Sequence, residues 1–235
     1  MFLTARNEEA LDAQVAPAAG PVQPWERDAA SQRRELAWEL TQRLLGLALL
    51  AFVLPLMLLI AGAVALQDGG PILFRHRRIG RHGRTFHCLK FRSMAVDADA
   101  RLQELLASDP AARAEWARDH KLRRDPRITP LGAFLRKTSL DELPQLINVL
   151  RGDMNLVGPR PIVEAEVVRY GRRIRSYQAV RPGITGLWQV SGRNDVAYRT
   201  RVALDTLYAR RRSVALDLWI LVRTVPAVLL RQGSC

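Results

Sequence analysis

Cysteine is scarce in this chain. Cys88 and Cys235 are the only two in 235 residues, which excludes a disulfide-stapled fold and suits a reducing compartment. Metal-ligand spacing is missing too: His76, His82, His87 and His120 fit no zinc pattern, and Cys88 beside His87 does not complete one. No phosphate-cradling Walker loop, dinucleotide fingerprint or internal repeat is present, so the common nucleotide-binding motifs are excluded. Acidic residues are outnumbered, with 23 Asp and Glu against 36 Lys and Arg and a net charge of +13. That excess implies an anionic partner: nucleic acid, an anionic membrane surface or phosphorylated substrates. No basic face interleaved with aromatics and no recognisable reading helix supports nucleic acid.

Charge is absent altogether from Leu44–Leu66, LLGLALLAFVLPLMLLIAGAVAL. A straight helix of that length would cross a bilayer core of about 30 Å. Pro55 sits at its centre and removes a backbone hydrogen bond there, leaving two apolar halves, each too short to cross alone. Arg33, Arg34 and Arg43 precede the run, and Arg75, Arg77, Arg78, Arg81 and Arg84 follow it. Basic flanks favour the cytoplasmic side, and one straight span cannot place both there. The expectation is a re-entrant hairpin broken at Pro55, with a single kinked span as the alternative. The run starts too late and is too long for a signal-peptide core. An apolar segment in a basic chain favours a membrane surface together with phosphate.

Three regions follow. Residues 1–32, rich in Ala, Pro and acidic side chains, read as a disordered leader. Residues 33–67 read as a basic lead-in, with Trp38 at the interface, and the broken membrane helix. Residues 68–235 read as a cytosolic catalytic domain of α+β class, mostly helical with short strands. Within it, Ile72–Phe74 and Thr85–Met94 read as strands, the second placing Lys90 and Arg92 on one face and Leu89 and Phe91 on the other. Asp97–His120 reads as helix interrupted at Asp109-Pro110, and Leu131–Lys137 as a short amphipathic helix. A further helix runs to Leu150 and ends at Gly152. Ile162–Tyr177 reads as one charged helix, Leu187–Val190 as a strand, and Tyr198–Arg211 as a helix. Val214–Leu230 is apolar, broken at Pro226, and suited to the membrane interface.

The candidate chemistry sits at Asp141-Glu142. Ser139-x-x-Glu142 has the form of a capping box, but with Ser139 as N-cap Pro144 would fall inside the helix, where its missing N–H costs a bond. A helix starting at or after Asp141 puts that carboxylate at a helix N-terminus, where the dipole would keep it ionised and the site attractive to phosphate. Adjacent carboxylates can hold Mg²⁺ together with substrate phosphates, and an ionised Asp can act as a nucleophile to form an acyl-phosphate. Capping and catalysis both remain open on spacing alone. Basic groups recur nearby: Lys90 on the polar face of a strand, Arg136 just before the dyad, Arg160 clamped between Pro159 and Pro161, and Arg193 after Gly192 in a turn. Guanidinium forks suit phosphate oxygens.

These residues lie in motifs that resemble a known family. Gly70-Pro71-Ile72-Leu73-Phe74-Arg75, Lys90-Phe91-Arg92-Ser93-Met94, Thr138–Leu146, Asn155–Pro161 and Arg181–Asn194 are similar, in that order, to the bacterial sugar transferases that act on polyprenyl phosphate, the monotopic phosphoglycosyl transferases. The resemblance covers about Arg43 to the C-terminus. It implies a re-entrant helix, Mg²⁺ held at Asp141 and Glu142, and transfer of a sugar-1-phosphate from a UDP-sugar to undecaprenyl phosphate. Asp141 would attack the β-phosphate and release UMP, the lipid phosphate would then attack the phosphosugar-enzyme, and Glu142 would assist. Lys90, Arg136, Arg160 and Arg193 match positions that bind phosphate or nucleotide. The resemblance further implies the cytoplasmic face of the bacterial inner membrane, contact with membrane lipids, no nucleic-acid partner and, as a candidate assembly, a homodimer. The C-terminal half looks most like exopolysaccharide galactosyl-phosphate transferases, with glucosyl-phosphate enzymes sharing most of the residues. Two departures stand out: Leu54 where relatives often carry Ser before the Pro, and Gly46 where many carry an acidic residue. The competing reading is a membrane-anchored basic adaptor that binds anionic lipid or nucleic acid.

Overall fold

The computed structural model describes residues 29–119, 122–192 and 197–229. The leader therefore lies outside the described residues as far as residue 28, and Arg193 and His120 lie outside them too. Helix α1, Ala29–Asp68, is a single 40-residue helix with Pro55 inside it. It begins within the stretch expected as leader and absorbs the basic lead-in. It is the one helix among the described residues long and apolar enough to cross a membrane.

The remaining elements are β1 (Leu73–Ile79), β2 (Thr85–Phe91), α2 (Ala98–Ser108), α3 (Pro110–Asp119), α4 (Pro130–Thr138), α5 (Gln145–Arg151), β3 (Asn155–Val157), α6 (Glu164–Tyr170), α7 (Ile174–Gln178), β4 (Gly183–Thr185), α8 (Leu187–Val190), α9 (Tyr198–Arg211) and α10 (Val214–Leu229). The fold is mostly helical with few short strands. Strand β1 pairs with β2, and so short a connection permits only antiparallel pairing.

The chain divides into two compact units. The first comprises the described residues up to Val53, Arg75–Leu89, and those from Gln145 onward; the second comprises Leu54–Phe74 and Lys90–Pro144. Helix α1 passes from one to the other directly before Pro55.

In the first unit β3 and β4 run parallel, Asn155 opposite Gly183 and Val157 opposite Thr185, joined by a crossover through α6 and α7 as parallel pairing requires. A Cβ on Gly158 would collide with the Arg181 carbonyl and the Gly183 amide, so the two backbones approach as only glycine permits. One apolar core gathers Cys88, Leu146, Val149, Met154, Val157, Tyr208 and Ile220; a second gathers Ile79, Ile162, Tyr170, Tyr177 and Val202. Helix α1 packs so tightly on the first core that a Cβ at Gly46 would lie 3.1 Å from Val149 Cγ1. An acidic side chain there would be driven into apolar packing, which accounts for the departure at this position.

Two local expectations are corrected here. Ile162–Tyr177 is not one helix: it breaks at Gly171, whose φ of +50° starts a 3₁₀ turn between α6 and α7. Leu187–Val190 is helix rather than strand, and the strand lies in the preceding turn. A short apolar run does not distinguish the two by periodicity. Position was decided by Gly183, whose N–H donates to the Pro159 carbonyl at 2.8 Å while the Asn155 N–H donates to the Pro182 carbonyl at 2.8 Å.

Trp38, expected at a membrane interface, donates its indole N–H to Asp217 Oδ2 at 2.6 Å. Gln42 donates to the same oxygen at 3.4 Å and accepts the Val157 N–H at 3.2 Å, while the Tyr208 hydroxyl donates to Asp217 Oδ1 at 2.8 Å. Burial raises the Asp217 carboxyl, and the Trp38 and Tyr208 hydrogen bonds oppose that rise. Glu39 pairs with Arg81 at 3.1 Å and with Arg181. These contacts tie the N-terminal half of α1 to β3, α9 and α10 through polar groups.

In the second unit, Met57, Ile60 and Val64 of α1 are buried at helical spacing, while Leu58, Leu59 and Leu66 are exposed. Helix α3 is capped by Asp109, whose Oδ1 accepts the N–H groups of Ala111 and Ala112 at 2.8 and 3.2 Å. The break expected at Asp109-Pro110 is therefore a capped junction.

Candidate active site

Helix α4 delivers the candidate site. Its N-cap is Thr129, whose Oγ1 accepts the Gly132 N–H at 2.9 Å, and Pro130 occupies the first helical position, where its missing N–H costs nothing. Gly132 lies against the Ser93 backbone, with no room for a Cβ. At the other end Ser139 takes the left-handed conformation, φ 58° and ψ 15°, which costs a non-glycine residue about 1 kcal/mol or more. That reversal throws the chain into a single 3₁₀ turn, Leu140–Glu142, and α5 begins only after Pro144.

The capping-box reading fails on this geometry. Ser139 makes no side-chain cap hydrogen bond; it ends α4 instead of starting α5. Pro144 precedes α5, so no helical hydrogen bond is lost to it. Asp141 thus occupies a tight turn between two helices.

Asp141 is 7% exposed. Lys90, at the end of β2, places its Nζ 2.6 Å from Glu142 Oε1 and 3.8 Å from Asp141 Oδ2. Burial pushes the Asp141 carboxyl up to about 6, Lys90 pulls against that rise, Glu142 adds to it, and Arg136 and a backbone hydrogen bond pull it back. The expectation of a helix N-terminus at Asp141 is corrected, since the residue lies in the 3₁₀ turn, and desolvation outweighs the cations to raise its carboxyl to about 6. At pH 7 it is still mostly ionised, with more basicity than an exposed aspartate.

Arg136 donates Nε–H to Ser93 Oγ at 2.8 Å, which fixes a guanidinium on the side of α4 facing the β2 extension. Arg92, 8% exposed, donates to Asp68 and to the Val64 carbonyl at 3.3 Å. It thereby pins the strand carrying Lys90 to the C-terminal end of α1. Sequence reasoning placed Arg92 on the polar face with Lys90 but assigned it no role, and it passed over Ser93 and Asp68.

The structure brings Lys90, Arg136, Asp141 and Glu142 together in the second unit. Arg160 belongs to the first unit, where its guanidinium lies 5.8 Å from the centroid of the Trp188 ring. Pro55 lies inside α1 at the passage between units. Asn148, also missed, is fully buried: it accepts the Leu89 N–H at 2.9 Å and donates to the His87 carbonyl at 2.8 Å, bonding the strand that leads to Lys90. Its sequence signal is slight: an amide that shares the run QLINVLR with Gln145 and four apolar residues.

No group of three or more His, Cys, Asp or Glu side chains among the described residues could hold a metal ion by itself. Two adjacent carboxylates do fit Mg²⁺, which binds through one or two carboxylates and takes its other ligands from water and substrate phosphates. Asp141 and Glu142 are that pair.

The family model for bacterial sugar transferases matches residues 34–231. The chain is 55% identical over 188 residues to the exopolysaccharide production protein ExoY of Sinorhizobium fredii, covering 80% of this chain and 83% of that one. It is 54% identical over 189 residues to an undecaprenyl-phosphate galactose phosphotransferase of Salmonella typhimurium, covering 80% of this chain but 40% of that longer protein. Against the UDP-glucose:undecaprenyl-phosphate glucose-1-phosphate transferase of Caulobacter vibrioides identity is 42% over 194 residues, covering 79% of this chain and 67% of that one. With a family match over residues 34–231, most of its length, the chain belongs to the bacterial sugar transferase family.

Proposed function

We propose that this protein transfers a sugar-1-phosphate from a UDP-sugar to undecaprenyl phosphate, releasing UMP, as a membrane step in exopolysaccharide synthesis. The observation that carries the reading is Asp141: a buried carboxylate, raised to about 6, held beside Lys90 and Glu142. A carboxylate so placed is a competent nucleophile near neutral pH.

In the proposed reaction an Asp141 carboxylate oxygen attacks the sugar-bearing phosphorus of the UDP-sugar. The P–O bond to the bridging oxygen breaks and its electron pair leaves with UMP, so the phosphosugar is held as an acyl-phosphate. A phosphate oxygen of the lipid then attacks the same phosphorus, the bond to Asp141 breaks, and the carboxylate is regenerated. Lys90 neutralises charge at the dyad and orients Glu142, and Arg136 supplies a guanidinium for phosphate oxygens. Mg²⁺ at Asp141 and Glu142 would supply charge neutralisation on the substrate phosphates. Arg160 and Arg193 are proposed as further phosphate or nucleotide contacts.

Greater identity to the galactose enzyme than to the glucose enzyme, 54% against 42%, supports galactose-1-phosphate as the transferred group. The exposed apolar surface of α1, the Arg clusters on both flanks and the lipid acceptor named for the relatives support membrane attachment. We place the catalytic residues on the cytoplasmic face, with α1 re-entering at Pro55 rather than spanning. Membranes incubated with UDP-galactose and undecaprenyl phosphate should release UMP. D141N should lower that release by roughly a thousandfold or more while still reaching the membrane. Release of UDP, or substantial turnover by D141N, would overturn the mechanism.

A further inference from the structure

Asp68 stands where its own helix disfavours it. It is the last residue of α1, at the negative end of the helix dipole, where a carboxylate is unfavourable and a cation favourable. The last turn of α1 holds no basic side chain. Arg92 supplies the cation from outside the helix. It donates to Asp68 Oδ1 and, at 3.3 Å, to the carbonyl of Val64 one turn earlier. The other carboxylate oxygen, Oδ2, accepts the Val96 N–H at 3.2 Å. Arg92 is 8% and Asp68 26% exposed, so solvent ions screen the pair weakly.

Backbone contacts complete this joint. The Arg92 N–H donates to the Ile72 carbonyl at 2.9 Å. A Cβ on Gly70 would overlap the Arg92 guanidinium and the Val96 side chain, so the chain leaving α1 passes this close only as glycine.

The segment that Asp68 holds also reaches the dyad and α4. Two residues before Arg92, Lys90 places Nζ 2.6 Å from Glu142 Oε1. One residue after it, Ser93 Oγ accepts the Arg136 Nε–H at 2.8 Å, and the Ser93 carbonyl accepts the N–H of Thr129, the N-cap of α4, at 3.3 Å. The Ala95 N–H donates to the Arg127 carbonyl at 2.8 Å. All of these residues belong to the second unit. A backbone displacement at Arg92 therefore moves Lys90 on one side and the support of Arg136 on the other.

We propose that Asp68 is a positioning residue for the transfer, a role that rests on the reading of Asp141 as nucleophile. Through Arg92 it fixes the segment bearing Lys90 and Ser93, and so sets Lys90 and Arg136 against the Asp141–Glu142 turn. Its own contacts are Arg92 and Val96, so it acts on the reaction only through them. By the same joint the end of the long apolar helix is coupled to the site.

Burst kinetics of UMP release from UDP-galactose, without lipid acceptor, test the role. The burst amplitude counts competent molecules, and the rate constant reports the geometry within each. D68N keeps the size of the side chain and removes its charge. It should slow the burst about a hundredfold with an amplitude near that of the wild type. D68E keeps the carboxylate and should recover most of the rate. In D68N/K90M the combined loss should be smaller than the product of the two single losses, because one residue acts through the other. A reduced amplitude with an unchanged rate constant in D68N would make Asp68 merely structural. Equal rates for D68N and D68E, or fully multiplicative losses in the double variant, would also overturn the positioning role while leaving Asp141 as nucleophile. No burst from the wild-type protein would overturn the reading of Asp141, and this role with it.

Discussion

At the residue scale, the account turns on how strongly one carboxyl holds its proton. Asp141 is raised to about 6 chiefly by burial, with Lys90 and Glu142 acting in opposite directions. A nucleophilic carboxylate must be ionised, so single-turnover UMP release should fall as pH drops through about 6, well above the range of an exposed aspartate. K90M removes the neighbouring cation and should move that acid limb to higher pH; E142Q removes the neighbouring anion and should move it to lower pH. Shifts in the same direction would contradict the electrostatic reading. The linkage to stability runs the opposite way from the usual carboxylate. Because the folded form binds the Asp141 proton more tightly than the unfolded chain does, ionising it costs stability. That cost appears as pH rises from the unfolded value toward about 6 and is constant above it. Asp141 and Glu142 were legible as adjacent carboxylates with basic neighbours, but the sequence put Asp141 at a helix N-terminus and the fold puts it in a 3₁₀ turn. The direction of the Asp141 shift was not legible, because burial is a property of packing.

At the element scale, α4 and α1 set the geometry. The Gly132 backbone lies against Ser93, so G132A must push α4 away from the segment that continues β2 beyond Lys90. The expected loss is about 1–3 kcal/mol of stability, read by chemical denaturation, with UMP release falling further than stability alone explains. Wild-type stability in that variant would mean that the contact does not position α4. For α1, the re-entrant reading predicts that cysteines introduced at Gln32 and Gln67 both react with a membrane-impermeant reagent only from the cytoplasmic side. Labelling of position 32 from the periplasm would establish a spanning helix instead. The apolar run, its proline and most helices were readable from periodicity and turn residues. Less readable were elements fixed by long-range pairing: β4 exists because Gly158 and Gly183 approach closely, and Gly171 divides a run that reads as continuous helix. The polar ties of Trp38 and Gln42 to Asp217 join residues with |i−j| of 179 and 175, which no local pattern announces.

At the scale of the whole molecule, the charge of +13 and the one long apolar helix suit the proposed function, in which an anionic membrane surface gathers a lipid phosphate and a nucleotide sugar. Motif order identified the family from sequence. The grouping of Lys90, Arg136, Asp141 and Glu142 in one compact unit, with Arg160 in the other, emerged only from the fold. The central claim is that Asp141 carries the phosphosugar during transfer, and a single-turnover experiment without lipid acceptor addresses it most directly. Purified protein mixed with UDP-galactose and Mg²⁺ should release UMP in an amount matching the protein present. Intact-mass analysis of the rapidly quenched sample should show a galactose-phosphate adduct, mapped to the peptide bearing Asp141 and lost in D141N. UMP appearing only when undecaprenyl phosphate is added, with no adduct at any time, would mean direct transfer between substrates and would contradict the account.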